Sequence, residues 1–196
     1  MSDAQASGEQ GVILLAIARE SLVEAFGLGM GISRSEAWLG EPGATFVTLK
    51  RQERLRGCVG SVRAYRPLLD DLWSNARAAA FSDSRFPPLG WEELPEVAIE
   101  VSLLSAAQPV EHACEDDALN ALRPGIDGVI LECHDYRSTF LPQVWDQLPD
   151  PRDFLGHLKR KAGLPWSYWS PDLRLWRYSV AKWQEQGHGQ PVRSVW

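Results

Sequence analysis

Between residues 10 and 26 apolar side chains recur at helical spacing: Ile13, Leu14, Ile17, Leu22, Val23 and Phe26 share one broad stripe, and Gly27 and Gly29 stop the pattern. A helix is predicted there, preceded by a small, polar, flexible arm over residues 1–9. After a Gly-, Ser- and Pro-punctuated stretch the period changes to two. Thr45, Val47 and Leu49 alternate against Phe46 and Thr48, a polar turn follows at residues 51–54, and residues 55–62 read as the returning strand of a hairpin. Pro67 opens a second helix over residues 67–81, where a missing N–H costs nothing. Leu68, Leu72, Trp73, Ala76, Ala79 and Ala80 form its apolar face, and Asp70 and Asp71 complement the dipole in its first turn.

Residues 97–104 read as a strong strand and residues 116–122 as a short helix. A second hairpin is expected over residues 128–144, around Asp135 and Tyr136. Asp150 and Pro151 have the chemistry of a helix start, and Gly163 of its stop; the Lys159–Lys161 run fits a helix C-terminus. Residues 172–183 read as a last strand and residues 184–196 as a loose tail. Hairpins and interspersed helices together predict an α+β fold, with a largely antiparallel sheet flanked by helices.

Composition adds bounds rather than chemistry. A chain of 196 residues, 44% hydrophobic and 23% charged, buries enough surface for a core without disulfide or metal staples. Three scattered cysteines fit a reducing compartment, and the absence of a basic N-terminal leader or a long apolar run predicts a cytoplasmic, membrane-free protein. The net charge of -6 argues against nucleic acid as the main partner, but it is an average. Residues 50–66 hold six basic groups and one acid; residues 83–127 hold ten acids and two bases. Either the two stretches pair with each other, or the first attracts an anion.

The most informative segment is Leu55-Arg56-Gly57-Cys58-Val59-Gly60-Ser61. Two glycines inside a strand mark a bulge or a close approach to the backbone. On a regular strand Arg54, Arg56 and Cys58 would share a face, and a guanidinium beside a thiol favours the reactive thiolate. Cys58 and Arg56 are therefore the candidate catalytic pair; the alternative is that Cys58 is a small core hydrophobe. None of His112, His134, His157 and His188 has a spacing that ties it to Cys58. No CxxC or HExxH is present, so no metal and no cofactor are predicted. Five of the nine tryptophans fall in the last 31 residues beside Arg174, Arg177 and Lys182. Such interleaving can stack bases, but packing of lobes is the commoner use of indoles.

These residues carry a resemblance. Leu55–Gly60 resembles the six-residue signature of the AMMECR-one domain, with Val59 where that family usually has isoleucine. Phe46-Val47-Thr48-Leu49, Tyr65-Arg66-Pro67-Leu68, Phe81-Ser82-Asp83-Ser84-Arg85-Phe86-Pro87-Pro88-Leu89, Ile99-Glu100-Val101-Ser102-Leu103-Leu104 and Thr139-Phe140-Leu141-Pro142-Gln143-Val144-Trp145 match in order, so the likeness spans residues 10–183. In detail the chain looks most like the bacterial branch called AmmeMemoRadiSam system protein A. The resemblance implies one domain of two lobes, a larger sheet-containing one and a smaller helical one, with the signature near the cleft between them. It implies Thr48, Gly57, Gly60, Ser61, Pro142 and Gln143 as ligand-binding candidates beside Cys58 and Arg56. It also implies a Memo-like protein and a radical S-adenosylmethionine protein as partners, with an unidentified small molecule or peptide as ligand. The expected function is that of a binding or accessory component. The alternative is an enzyme using Cys58 as nucleophile or carrier, with Arg56 holding an anionic group and Glu100 as a possible acid/base. Nucleic-acid binding is a remote third.

Overall fold

The structure is a computed structural model that describes residues 3–29, 31, 35–185 and 193–195. In chain order it contains α1 (Asp3–Ala25), β1 (Pro42–Arg51), β2 (Arg54–Gly60), β3 (Arg66–Pro67), α2 (Leu68–Phe81), β4 (Val97–Leu104), β5 (Gln108–Pro109), α3 (Glu115–Ala121), β6 (Gly128–Cys133), β7 (Tyr136–Phe140), α4 (Pro151–Ala162), β8 (Arg174–Tyr178), β9 (Val180–Gln184) and β10 (Arg193–Val195). Short 3-10 helices cover Ala37–Gly40, Trp91–Glu96 and Pro142–Asp146. The fold is α+β with antiparallel sheets, as the pattern of elements predicts. No helix among the described residues is long and apolar enough to cross a membrane.

Two compact units divide the chain. The first comprises Met1–Leu104 and Ala181–Trp196, the second Ser105–Val180. The first unit carries a six-stranded sheet in the order β10-β9-β4-β1-β2, with β3 on β1. One sheet face is apolar: Val47, Leu49, Ile99 and Val101 pack with Leu14, Ile17 and Leu22 of α1, Leu72 and Ala76 of α2, and Trp183 of β9. The opposite face carries Thr48, Cys58 and Glu100 in one cross-strand row, because Thr48 pairs with Cys58 on one side and with Glu100 on the other.

α1 starts at Asp3, well before residue 10. The alanines and glutamines of its first turns are helix formers, so the expected arm is helix from Asp3 onward; residues 1 and 2 lie outside the described residues. Residues 193–195 likewise form a strand on β9 where a loose tail was expected, while residues 186–192 and 196 lie outside the description.

Asp71 departs most from its sequence reading. It is not a solvated dipole partner but is 0% exposed, under the sheet. Its carboxylate accepts from Thr45 N (2.8 Å), Thr45 Oγ1 (2.8 Å), Ser61 Oγ (2.6 Å), Asn75 Nδ2 (2.9 Å) and Arg66 Nε (3.0 Å). A buried anion persists only when its lone pairs are filled and its charge is met, and both conditions hold here. The hub ties the first turns of α2 to β1, to the residue after β2, and to β3.

The second unit carries the expected helices and also its own four-stranded sheet, in the order β5-β8-β6-β7. The expected strand over residues 172–183 is in fact two. β8 joins this sheet and β9 joins that of the first unit, with Ser179 between them. Alternation of apolar residues runs through both strands, so periodicity alone cannot show the change of sheet. α4 is capped as its sequence predicts: Asp150 accepts from Arg152 N and Asp153 N, and Gly163 closes the helix at φ 91°. Its basic end is not simply solvated, however. Lys159 is 1% exposed and donates to Glu115 Oε1 (2.6 Å) and the Tyr168 carbonyl (3.0 Å). Two of the tryptophans sit in the cores: Trp183 fills the first, and Trp145 stacks on Phe154 at 3.7 Å in the second.

Removal of the Asp71 carboxylate leaves Arg66 and several buried donors without a partner. Asp71→Ala is expected to cost about 3–5 kcal/mol, read as a lowered urea midpoint with an unchanged slope. A loss below about 1 kcal/mol would show that the hub is dispensable.

Candidate functional site

The site is built on β2, an edge strand. Its pairing with β1 slips between Leu49 and Lys50: Leu49 faces Gly57 and Lys50 faces Leu55, so Arg56 is the extra residue of a bulge. The bulge breaks the two-residue period, and the expected common face of Arg54, Arg56 and Cys58 does not form. Gly57 turns toward α2, where a Cβ would lie 2.1 Å from the Ala79 carbonyl oxygen. A Cβ on Gly60 would lie 2.3 Å from Phe46 Cγ and 2.6 Å from the Thr45 carbonyl oxygen. The glycines do mark close approaches, but the approaching groups belong to this chain. Gly57 and Gly60 therefore leave no room there for a ligand.

Arg56 is committed to a carboxylate through two of its nitrogens, and its third, Nη1, is buried with no hydrogen-bond partner among the described residues. Its side chain is 11% exposed; Nε and Nη2 donate to Glu93 Oε1 (3.1 Å) and Oε2 (2.9 Å), and its guanidinium lies over the Phe86 ring at 6.0 Å. The Arg56 guanidinium and the Gly90 N–H hold the Glu93 carboxyl down at about 2. Ser61 is likewise absorbed by the Asp71 hub.

Cys58 is half-buried, and Thr48 Oγ1 donates to its sulfur at 3.3 Å. Thr48 and Cys58 are the candidates that the structure brings together. Its peptide is gripped from the open edge of the sheet. The Cys58 N–H donates to Asp83 Oδ2 (2.9 Å), and Arg85 Nη2 donates to the Cys58 carbonyl (3.2 Å). Arg85 is itself forked onto Asp83 through Nε (2.9 Å) and Nη2 (2.7 Å). That fork, with the Cys58 N–H second, holds the Asp83 carboxyl well below the usual range. Two side chains thus occupy the outward donor and acceptor that an edge strand would offer to another chain.

Across the sheet face, Glu100 is buried and bridged: Lys50 Nζ donates to Oε2 at 2.9 Å and Lys182 Nζ lies 3.4 Å from Oε1. The described histidines, His112, His134 and His157, belong to the second unit, and His188 lies outside the description. Among the described residues no cluster of three metal-ligating groups forms. Pro142 and Gln143 also lie in the second unit. They open the short helix whose Trp145 donates to the Asp127 carbonyl at 2.7 Å.

Asp83, Arg85 and Glu93 are the site residues that the strand pattern does not reveal. For Asp83 and Arg85 the signal is the Asp83-to-Leu89 stretch, whose Asp-x-Arg spacing suits a local fork, but nothing in it points to a strand 25 residues earlier.

A two-unit α+β protein that presents a clamped edge cysteine is thus defined by its fold and site. The chain belongs to the AMMECR1 family, whose model matches residues 15–183. It is 40% identical to a protein of Aeropyrum pernix, an alignment covering 79% of this chain and 69% of the relative. It is 35% identical to one of Thermococcus gammatolerans, covering 94% and 95%. The crystal structure of the uncharacterised protein PH0010 from Pyrococcus horikoshii matches with a TM-score of 0.78 at 28% identity, covering 96% of this chain and 97% of that one.

The depressed Glu93 carboxyl contributes stability that is complete above its ordinary value and is lost as pH falls from there toward about 2. Glu93→Gln is expected to cost about 1–3 kcal/mol at neutral pH and to flatten the acid limb of the stability curve between about pH 5 and 3. An unchanged acid limb in equilibrium denaturation would remove the Arg56–Glu93 pair from this account.

Proposed function

We propose that this chain is a cytoplasmic ligand- or partner-binding accessory component that works through the sheet face carrying Thr48 and Cys58. The observation that supports it is the fixing of Cys58 at both peptide groups by Asp83 and Arg85, in a half-buried residue whose sulfur accepts from the Thr48 hydroxyl. Rigid presentation of this kind reduces the ordering cost of binding. The nearby charges already serve one another: Arg56 serves Glu93, and Glu100 is held by two lysines. The partners suggested by the family resemblance are a Memo-like protein and a radical S-adenosylmethionine protein. We extend the resemblance to the bacterial AmmeMemoRadiSam system protein A branch on the motif details alone; the relatives described above are archaeal.

The expected outcome is co-purification of the full chain with either partner, weakened about tenfold by Thr48→Val or Cys58→Ala with no change in melting temperature. Failure of the folded wild-type chain to bind either partner sinks this reading.

A second reading, an enzyme with Cys58 as nucleophile or carrier, draws on the hydrogen bond from Thr48 to the sulfur and on the Arg85 guanidinium nearby. It requires a thiol that titrates below the free value of about 8.5; a measured value at or above it removes the reason for activation. Nucleic-acid binding gains nothing from the structure, because Lys50, Arg51, Arg56 and Arg66 are engaged by Glu100, Glu93, Glu96 and Asp71.

A further inference from the structure

The sequence suggests Arg56 as the anion holder, but its Nε and Nη2 are on Glu93 and its unpartnered Nη1 is buried, in a side chain only 11% exposed. Another arginine stands in a better place. Arg85 is anchored at the peptide of Cys58, and its side chain is 54% exposed. Nε and Nη2 are used by Asp83 and the Cys58 carbonyl; Nη1 has no hydrogen-bond partner among the described residues. The guanidinium also lies over the Phe86 ring at 5.6 Å, which restricts its swing. It is thus an oriented, exposed cation held at the Cys58 peptide, with Nη1 open to solvent.

The surrounding charges set the kind of ligand. Along the row of Cys58, Thr48 and Glu100, Arg85 pairs with Asp83, while Glu100 is met by both Lys50 and Lys182. The excess cation lies at the Glu100 end, so the row as a whole favours a small anion over a cation. We propose that Arg85 is the recognition residue of the Cys58 face and that it binds the carboxylate of a small molecule or peptide whose adjoining atoms meet the Cys58 sulfur. This rests on the reading of that face as a binding surface and names its ligand class.

Two alkylating reagents separate the proposal from that reading. Iodoacetamide and iodoacetate both react through the thiolate, forming a carbon–sulfur bond and releasing iodide, so their rate ratio cancels the thiolate fraction. Only iodoacetate carries the carboxylate. Rates are measured at Cys58 in a Cys114→Ser background, since Cys114 is exposed and Cys133 buried. The expected ratio of iodoacetate to iodoacetamide is roughly 3–10-fold above that of glutathione. It is expected to fall to the glutathione value in Arg85→Gln, to persist in Arg85→Lys, and to collapse for the wild type in high salt. If Arg85→Gln does not fold, the salt series and Arg85→Lys still decide. A wild-type ratio equal to that of glutathione, or one unchanged in folded Arg85→Gln, overturns the role of Arg85 while leaving the binding face intact. Failure of neutral iodoacetamide to reach Cys58 in the folded chain overturns the binding face itself.

Discussion

The contact on which the site depends is the approach of α2 to β2 at Gly57. The Ala79 carbonyl sits where a Cβ would stand, so the strand meets the helix at backbone distance. Once Gly57 faces the helix, Cys58 must face the other way. The bulge absorbs the mismatch, and Arg56, the residue that has no partner on β1, reaches Glu93 instead of the sheet face. One backbone approach thus decides which side chain of the motif is structural and which is presented. The Asp71 hub holds the same helix against β1 from below, so the two constraints act on one element from two points.

Charge follows the same geometry. The basic stretch at residues 50–66 and the acidic one at residues 83–127 look like two opposed patches along the chain. In the fold much of that opposition is spent internally, through Lys50–Glu100, Arg51–Glu93, Arg51–Glu96 and Arg56–Glu93. The exposed pairs among these add little stability each; Arg56–Glu93, with the arginine side chain 11% exposed, is the buried one.

What was legible in the sequence was local. The Asp150 cap, the Gly163 stop, the β1–β2 hairpin and the boundaries of β4 all arise from residues within a few positions of one another, and each was recovered. The burial of Asp71 was not, because an acidic residue in a first turn is usually solvated, and three of the four residues that satisfy this one, Thr45, Ser61 and Arg66, lie outside its helix, with Asn75 the fourth. The division of residues 172–183 between two sheets was not legible either, since both strands carry the same alternation. The smaller unit's own sheet was missed for a related reason: two of its four strands are β5, a two-residue element, and β8, half of what read as one strand.

The candidate site shows the same boundary between local and distant information. Cys58 stands out in the sequence because its glycine neighbours are unusual within a strand. Which arginine lies at its peptide is not legible there, because proximity in sequence is not proximity in space. Arg56 is two residues from Cys58 but directed to Glu93, whereas Arg85 is 27 residues away and bonded to the Cys58 peptide. Asp83 makes that placement specific. By accepting from the Cys58 N–H and from Arg85 together, it fixes the guanidinium relative to the Cys58 peptide. The two arginine–carboxylate pairs use the same two nitrogens, and in each Nη1 has no hydrogen-bond partner among the described residues. They differ in exposure: the Arg56 side chain is 11% exposed and its Nη1 is buried, whereas that of Arg85 is 54% exposed and open to solvent.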